Sequence, residues 1–143
     1  MSVNKLFHRI IGPVIASQGG HTDVSPALHQ QTYGIASDPL TRFTIHLSAL
    51  IHDVDHAGVP NSQLVQEGTP VAQKFQNKSV AEQNSVVVGW QLLMQDKYKA
   101  LRRAIYTNEA DFRRFRQLLV NIVMATDIMD KGTKQQARYH SKR

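Results

Sequence analysis

Leu50-Ile51-His52-Asp53-Val54-Asp55-His56-Ala57-Gly58-Val59-Pro60 places four ionisable side chains at the end of an apolar run, then stops the run with a Gly and a Pro. Upstream, Phe43, Leu47, Leu50, Ile51 and Val54 recur at i, i+4, i+7, i+8 and i+11. That spacing predicts one buried face of an α-helix. His52 and His56 are four apart, so they are expected on a single face, about one turn from each other. Asp53 is expected at the same height, about 100° around the axis. An imidazole and a carboxylate at adjacent positions can both reach a cation held between this helix and its neighbours. A carboxylate can also bridge two cations, which is how a helical protein builds a hydrolytic metal site.

A His beside an Asp on a helix is more often a solvated or hydrogen-bonded pair. Here the pair ends an apolar stripe and is expected to be half buried. Unpaired charge at a buried helix end is costly and calls for a partner such as a metal. The zinc-protease pattern H-E-x-x-H shares the His spacing but needs Glu as general base. Asp53 is shorter, and the helix is expected to stop directly after His56, so that pattern ranks low.

The length fits one compact domain or part of one. The absence of Cys excludes disulfides and thiolate metal sites and favours an intracellular, cytoplasmic setting. No apolar run approaches the about 20 residues of a membrane span, and residues 1–10 lack a signal-peptide core. The net charge is +6, but Lys131, Lys134, Arg138, Lys142 and Arg143 follow Asp130 with no acidic residue among them. The rest of the chain is nearly balanced, so it does not read as a nucleic-acid-binding domain.

The other segments read as helical scaffold. Residues 3–17 carry Leu6, Ile10 and Val14 at helical spacing, with Pro13 kinking or delaying the helix. Residues 18–39 read as a loop, with one short turn around 26–31. Ser37-Asp38-Pro39 is a helix start. Short helices are expected at 63–66 and 71–75. A longer one, near 80–94, is expected to bury Val86, Val87, Trp90, Leu93 and Met94. After an amphipathic piece at 98–106, residues 109–128 form the longest helix, with Phe112, Phe115, Leu119, Ile122, Val123 and Met129 as its stripe and Arg113, Arg114 and Arg116 solvated. Asp127 falls near that helix's C-terminal end, where the dipole disfavours a carboxylate unless a cation or His is close. Ser79-x-x-Glu82 has the form of a capping box. Residues 131–143 form a basic tail without apolar periodicity, expected to be disordered.

His52-Asp-Val-Asp-His-Ala-Gly-Val-Pro-Asn61 resembles the second signature of class I 3′,5′-cyclic nucleotide phosphodiesterases, part of the wider HD-type metal phosphohydrolases. Ser79-Val80-Ala81-Glu82 and Ala125-Thr126-Asp127 resemble two further family segments, in the family's order. The resemblance covers about residues 3–130 and implies an all-α fold, part of a compact multi-helix domain with about five to seven helices here. It implies hydrolysis of cAMP or cGMP to 5′-nucleoside monophosphates in signal transduction. It implies two divalent metals, zinc at one site and magnesium or manganese at the other. His52 would ligate the first metal and Asp53 would bridge both. His56, Glu82 and Thr126 would hold waters of the second, and Asp127 would orient a neighbouring group. For Glu82 this competes with the capping box, since one side chain cannot fully serve both.

The resemblance also implies parts this sequence does not show: an upstream His-Asn-x-x-His segment with the general acid, a downstream metal-binding Asp, and a Gln that clamps the purine. Asn84-Ser85 stand where many members carry paired His. Residues 1–130 are therefore expected to be a partial catalytic domain, inactive alone. The alternatives are another HD-type nucleotide phosphohydrolase and a non-catalytic truncated helical module.

Overall fold

A computed structural model describes residue 35 and residues 37–128. Among the described residues there are six α-helices and no strand: α1 (Pro39–Ile51), α2 (Asn61–Gln66), α3 (Pro70–Lys74), α4 (Val80–Leu93), α5 (Lys99–Ile105) and α6 (Glu109–Met124). A 3₁₀ turn, Asp96–Tyr98, leads into α5. The all-α expectation is met. The expected features at 3–17, 18–34, Met129 and 131–143 lie outside the described residues.

Helix α1 starts where the sequence predicts. The Asp38 carboxylate accepts from the amides of Leu40 (3.2 Å) and Thr41 (3.3 Å), and Pro39 occupies the first turn, where its missing N–H costs nothing. Asp38 also takes the Thr41 hydroxyl and the Arg114 guanidinium, tying the start of α1 to α6. Burial acts to raise the Asp38 pKa. The Thr41 hydroxyl, the Arg114 charge and the two amides outweigh it and hold the carboxyl below its ordinary value.

The buried face of α1 is not the expected stripe. Thr44 and Ser48 are fully buried, Leu40, Leu47 and Ile51 pack against Leu93, Phe115 and Leu119, and Leu50 is 80% exposed. Small polar side chains at 44 and 48 let α6 approach closely, and this turns Leu50 outward. Thr44 satisfies its hydroxyl on the Leu40 carbonyl at 2.6 Å; Ser48 Oγ has no hydrogen-bond partner among the described residues.

Helix α4 packs against both α1 and α6, again through small residues: Ala81, Ser85 and Gly89 are buried, with Leu93. A Cβ on Gly89 would lie 2.9 Å from Ile51 Cδ1, so glycine permits the α1–α4 approach. Val86 and Trp90 are half buried, and Met94 lies outside the core. On α6, Phe115, Leu119 and Val123 are buried as expected. Phe115 is ringed by Phe43, Trp90 and Tyr106 at centroid distances of 6.4, 6.1 and 5.9 Å. The arginines of α6 are not simply solvated. Arg113 pairs with Glu109, Arg114 with Asp38, and Arg116 lies over the Trp90 ring. Arg102 closes the C-terminal end of α4 by donating to the carbonyls of Leu93 and Gln95 at 2.6 and 2.7 Å. A smaller cluster, Leu64, Ala72 and Val80, joins α2 and α3 to the start of α4.

Candidate metal centre

The ionisable stretch does not continue the helix. Helix α1 ends at Ile51, with His52 as its C-cap, and residues 52–55 form a turn. Single i−3 bonds, Val54 N–H to Ile51 O (3.0 Å) and His56 N–H to Asp53 O (3.2 Å), replace the helical ladder. Asp55 then adopts φ 59° and Gly58 φ 76°. Aspartate is among the few side chains that tolerate the left-handed region. The chain therefore swings away at Asp55, and His52 and His56 do not share a helix face. The burial expected of the pair is also only half met: the His52 side chain is 37% exposed and that of Asp53 69%.

The structure does bring His52 and Asp53 together. His52 Nδ1 lies 3.0 Å from the Ala49 carbonyl, which can only accept, so Nδ1 carries a proton. The neutral ring then presents the lone pair of Nε2, and Nε2 is 3.0 Å from Asp53 Oδ2. Two lone pairs at that distance need a cation between them, either a second ring proton or a metal. Ligand distances of about 2.0–2.2 Å place adjacent donor atoms about 3.3–3.6 Å apart in a tetrahedral shell and about 2.8–3.1 Å apart in an octahedral one. The backbone carbonyl behind the ring is the kind of support that orients metal-ligating histidines. The pair therefore fits as two adjacent ligands. Among the described residues no group of three or more His, Cys, Asp or Glu side chains that could hold a metal ion converges.

His56 has the opposite polarity. Its Nδ1 accepts from the Gly58 amide at 2.9 Å, so a neutral ring carries its proton on Nε2. It offers a donor to water or to a phosphate oxygen, and the nitrogen that faces the backbone is already used.

Glu82 and Ser79 do not form a capping box. Ser79 lies at φ 39°, in the left-handed region, and makes no cap bond, because an N-cap side chain needs an extended backbone to face the first amides. Asn61 replaces it from 20 residues away. Its Oδ1 accepts from the Ala81 amide at 2.8 Å and its Nδ2 donates to Glu82 Oε2 at 2.8 Å. Glu82 is thus held from one side, with Oε1 left to accept from water. Thr126 donates its hydroxyl to the Val123 carbonyl at 2.7 Å, which leaves its oxygen able to accept. Asp127 lies beyond the end of α6, only 6% exposed, and is engaged by the protein.

Two more side chains, Asn84 and Ser85, which stand where many members of the resembled family carry paired His, hold the turn from α4. Asn84 Nδ2 donates to Asp55 Oδ2 at 2.8 Å, and the fully buried Ser85 Oγ donates to the Val54 carbonyl at 2.8 Å. Neither pairing carries a periodic signal.

A family model described as 3′5′-cyclic nucleotide phosphodiesterase matches residues 23–140. The chain belongs to that family. Among its relatives is the mouse dual specificity calcium/calmodulin-dependent 3′,5′-cyclic nucleotide phosphodiesterase 1C, 32% identical over 110 residues that make up 74% of this chain and 15% of the relative. The human cGMP-inhibited 3′,5′-cyclic phosphodiesterase 3A is 31% identical over 90 residues, 62% of this chain and 8% of the relative. A mouse high affinity cAMP-specific and IBMX-insensitive 3′,5′-cyclic phosphodiesterase 8A is 26% identical over 114 residues, 75% of this chain and 14% of the relative. The chain thus spans 15% or less of the length of these three phosphodiesterases. Metal dependence is a general property of the family. Among the described residues no helix is long and apolar enough to cross a membrane.

Proposed function

We propose that this chain contributes the His-Asp part of a divalent-metal site that hydrolyses 3′,5′-cyclic nucleotides, cAMP or cGMP, to 5′-nucleoside monophosphates. The observation that carries the reading is the approach of His52 Nε2 to Asp53 Oδ2 at 3.0 Å, within the stretch that matches the family. His52 would hold a metal through Nε2. Asp53 would reach the same metal and, with its second oxygen, a neighbouring one. An imidazole donor suits zinc, and carboxylate with water suits magnesium or manganese.

When bound, such cations supply a water that is nucleophilic at neutral pH and offset charge on the phosphoryl oxygens. The chain's own groups would place that water and the phosphate. His56 would donate from Nε2, Glu82 would accept through Oε1, and Thr126 would accept through its hydroxyl oxygen. Asp127 would orient a neighbouring group. Hydrolysis adds water across the bond between phosphorus and the 3′ oxygen.

The test uses the gene product in its own cells, recovered with an antibody to residues 109–128. Hydrolysis of cAMP and cGMP would be compared between the natural protein and Asp53→Ala. Loss of turnover by well over about 100-fold is expected for a removed ligand. Unchanged turnover would rule the reading out.

A further inference from the structure

Two polar side chains of α4 grip the turn that follows the His-Asp pair. Ser85 Oγ, fully buried, fixes the Val54 carbonyl, and Asn84 Nδ2 fixes the Asp55 carboxylate. Val54 and Asp55 lie between the His52–Asp53 pair and His56, so their backbone sets where the Asp53 and His56 side chains project. Asp55 stands at φ 59°, in the left-handed region, which few L side chains other than Asn and Asp adopt. The turn has two i−3 backbone bonds and no helical ladder, and among the described residues Asn84 and Ser85 of α4 tie it to the helical core.

We propose that Asn84 and Ser85 are positioning residues. By locking residues 54 and 55 in one conformation, they keep Asp53 Oδ2 against His52 Nε2 and so preorganise the pair for a metal. The inference rests on the reading of His52 and Asp53 as metal ligands. Neither Asn84 nor Ser85 touches the metal position; both act through the turn. Preorganisation of this kind raises affinity by removing the cost of ordering the ligands on binding.

The experiment is a Zn²⁺ titration of the full 143-residue chain against a chromophoric chelator. The natural sequence, His52→Ala, Asn84→Ala and Asn84→Leu are compared. Leucine has the heavy-atom count and branching of asparagine and lacks the donor, so a space-filling role would survive that change and a hydrogen-bonding role would not. Ser85 is buried and its removal risks the fold, so the partly exposed Asn84 carries the test. Amide hydrogen exchange at 54–58 is read on the same metal-free samples, and thermal melting checks that each variant is folded.

Both Asn84 variants are expected to bind zinc about 10- to 100-fold more weakly. Their amides at 54–58 should exchange faster, with the melting temperature nearly unchanged. Equal zinc affinity in the natural chain and both Asn84 variants, with His52→Ala weaker, overturns the inference and leaves the metal reading standing. Weaker zinc binding by Asn84→Ala alone, with Asn84→Leu normal, makes Asn84 a spacer and also overturns it. Zinc binding no tighter in the natural chain than in His52→Ala overturns the metal reading, and the inference with it.

Discussion

The core where α1, α4 and α6 meet and the turn at 52–58 are ordered by different forces. In the first, Phe115 sits in a ring of aromatic side chains and small residues let three helices approach closely. Order there comes from apolar area removed from water and from close packing, and it tolerates imperfect polar satisfaction, as the unpartnered Ser48 Oγ shows. In the second, little apolar surface is buried, two residues stand at positive φ, and two hydrogen bonds from α4 help set the geometry. Packing decides where the helices lie. Discrete donors and acceptors decide where the site's side chains point. The two regions should therefore respond differently to substitution.

The largest effect is expected in the core. Phe115→Ala should cost about 3–5 kcal/mol, read from the urea midpoint, because it opens a cavity the ring of aromatics cannot fill. A cost below about 1 kcal/mol would mean that the core is looser than its packing indicates. Asn61→Ala comes next. It removes the cap from the Ala81 amide and the donor from Glu82, and should cost about 1–2 kcal/mol while leaving α1 and α6 packed. An equal loss of aromatic near-ultraviolet signal in both variants would erase the distinction between the regions.

Ser48→Ala should act in the other direction. It removes a buried hydroxyl that has no partner, so a gain of about 1 kcal/mol is expected. A loss of that size would show that the hydroxyl finds a partner in solution. The smallest effect concerns Asp38. Its carboxyl is held below the ordinary value of 3.8, so the charged form favours the folded state. That contribution is present above the unfolded pKa and is lost as pH falls through the depressed folded value. Asp38→Asn keeps a competent cap but drops the charge. The stability gap between the natural chain and Asp38→Asn should hold at neutral pH and close as the solution is acidified below 3.8. A gap independent of pH would remove the Arg114 pairing from the account.

The legible parts of the sequence were those with a period or a cap. The start of α1 at Asp38-Pro39 and the buried run Phe115, Leu119 and Val123 follow from spacing and local chemistry. The buried face of α1 does not follow from its apolar residues alone. Apolar spacing puts Leu50 on it and leaves Thr44 and Ser48 off, whereas close helix contact selects for small side chains. The end of α1 was placed too late because nothing local marks Asp55 as left-handed. The capping box failed for the same reason at Ser79. His52 and Asp53 were legible as a pair because they are adjacent. Asn84 and Ser85, about 30 residues downstream, were not, because a side-chain bond between distant elements leaves no pattern along the chain. The opposite polarity of the two histidines depends on which backbone group faces each ring, which only the folded turn fixes.

That polarity is the central claim, and nitrogen-15 imidazole spectra of the histidine-labelled chain test it most directly. In the metal-free protein the account predicts His52 protonated on Nδ1 and His56, when neutral, protonated on Nε2. Added Zn²⁺ should then shift Nε2 of His52 and leave Nδ1 of His56 hydrogen-bonded to Gly58. The same tautomer on both neutral rings, or zinc bound at His56 with His52 unmoved, would contradict it.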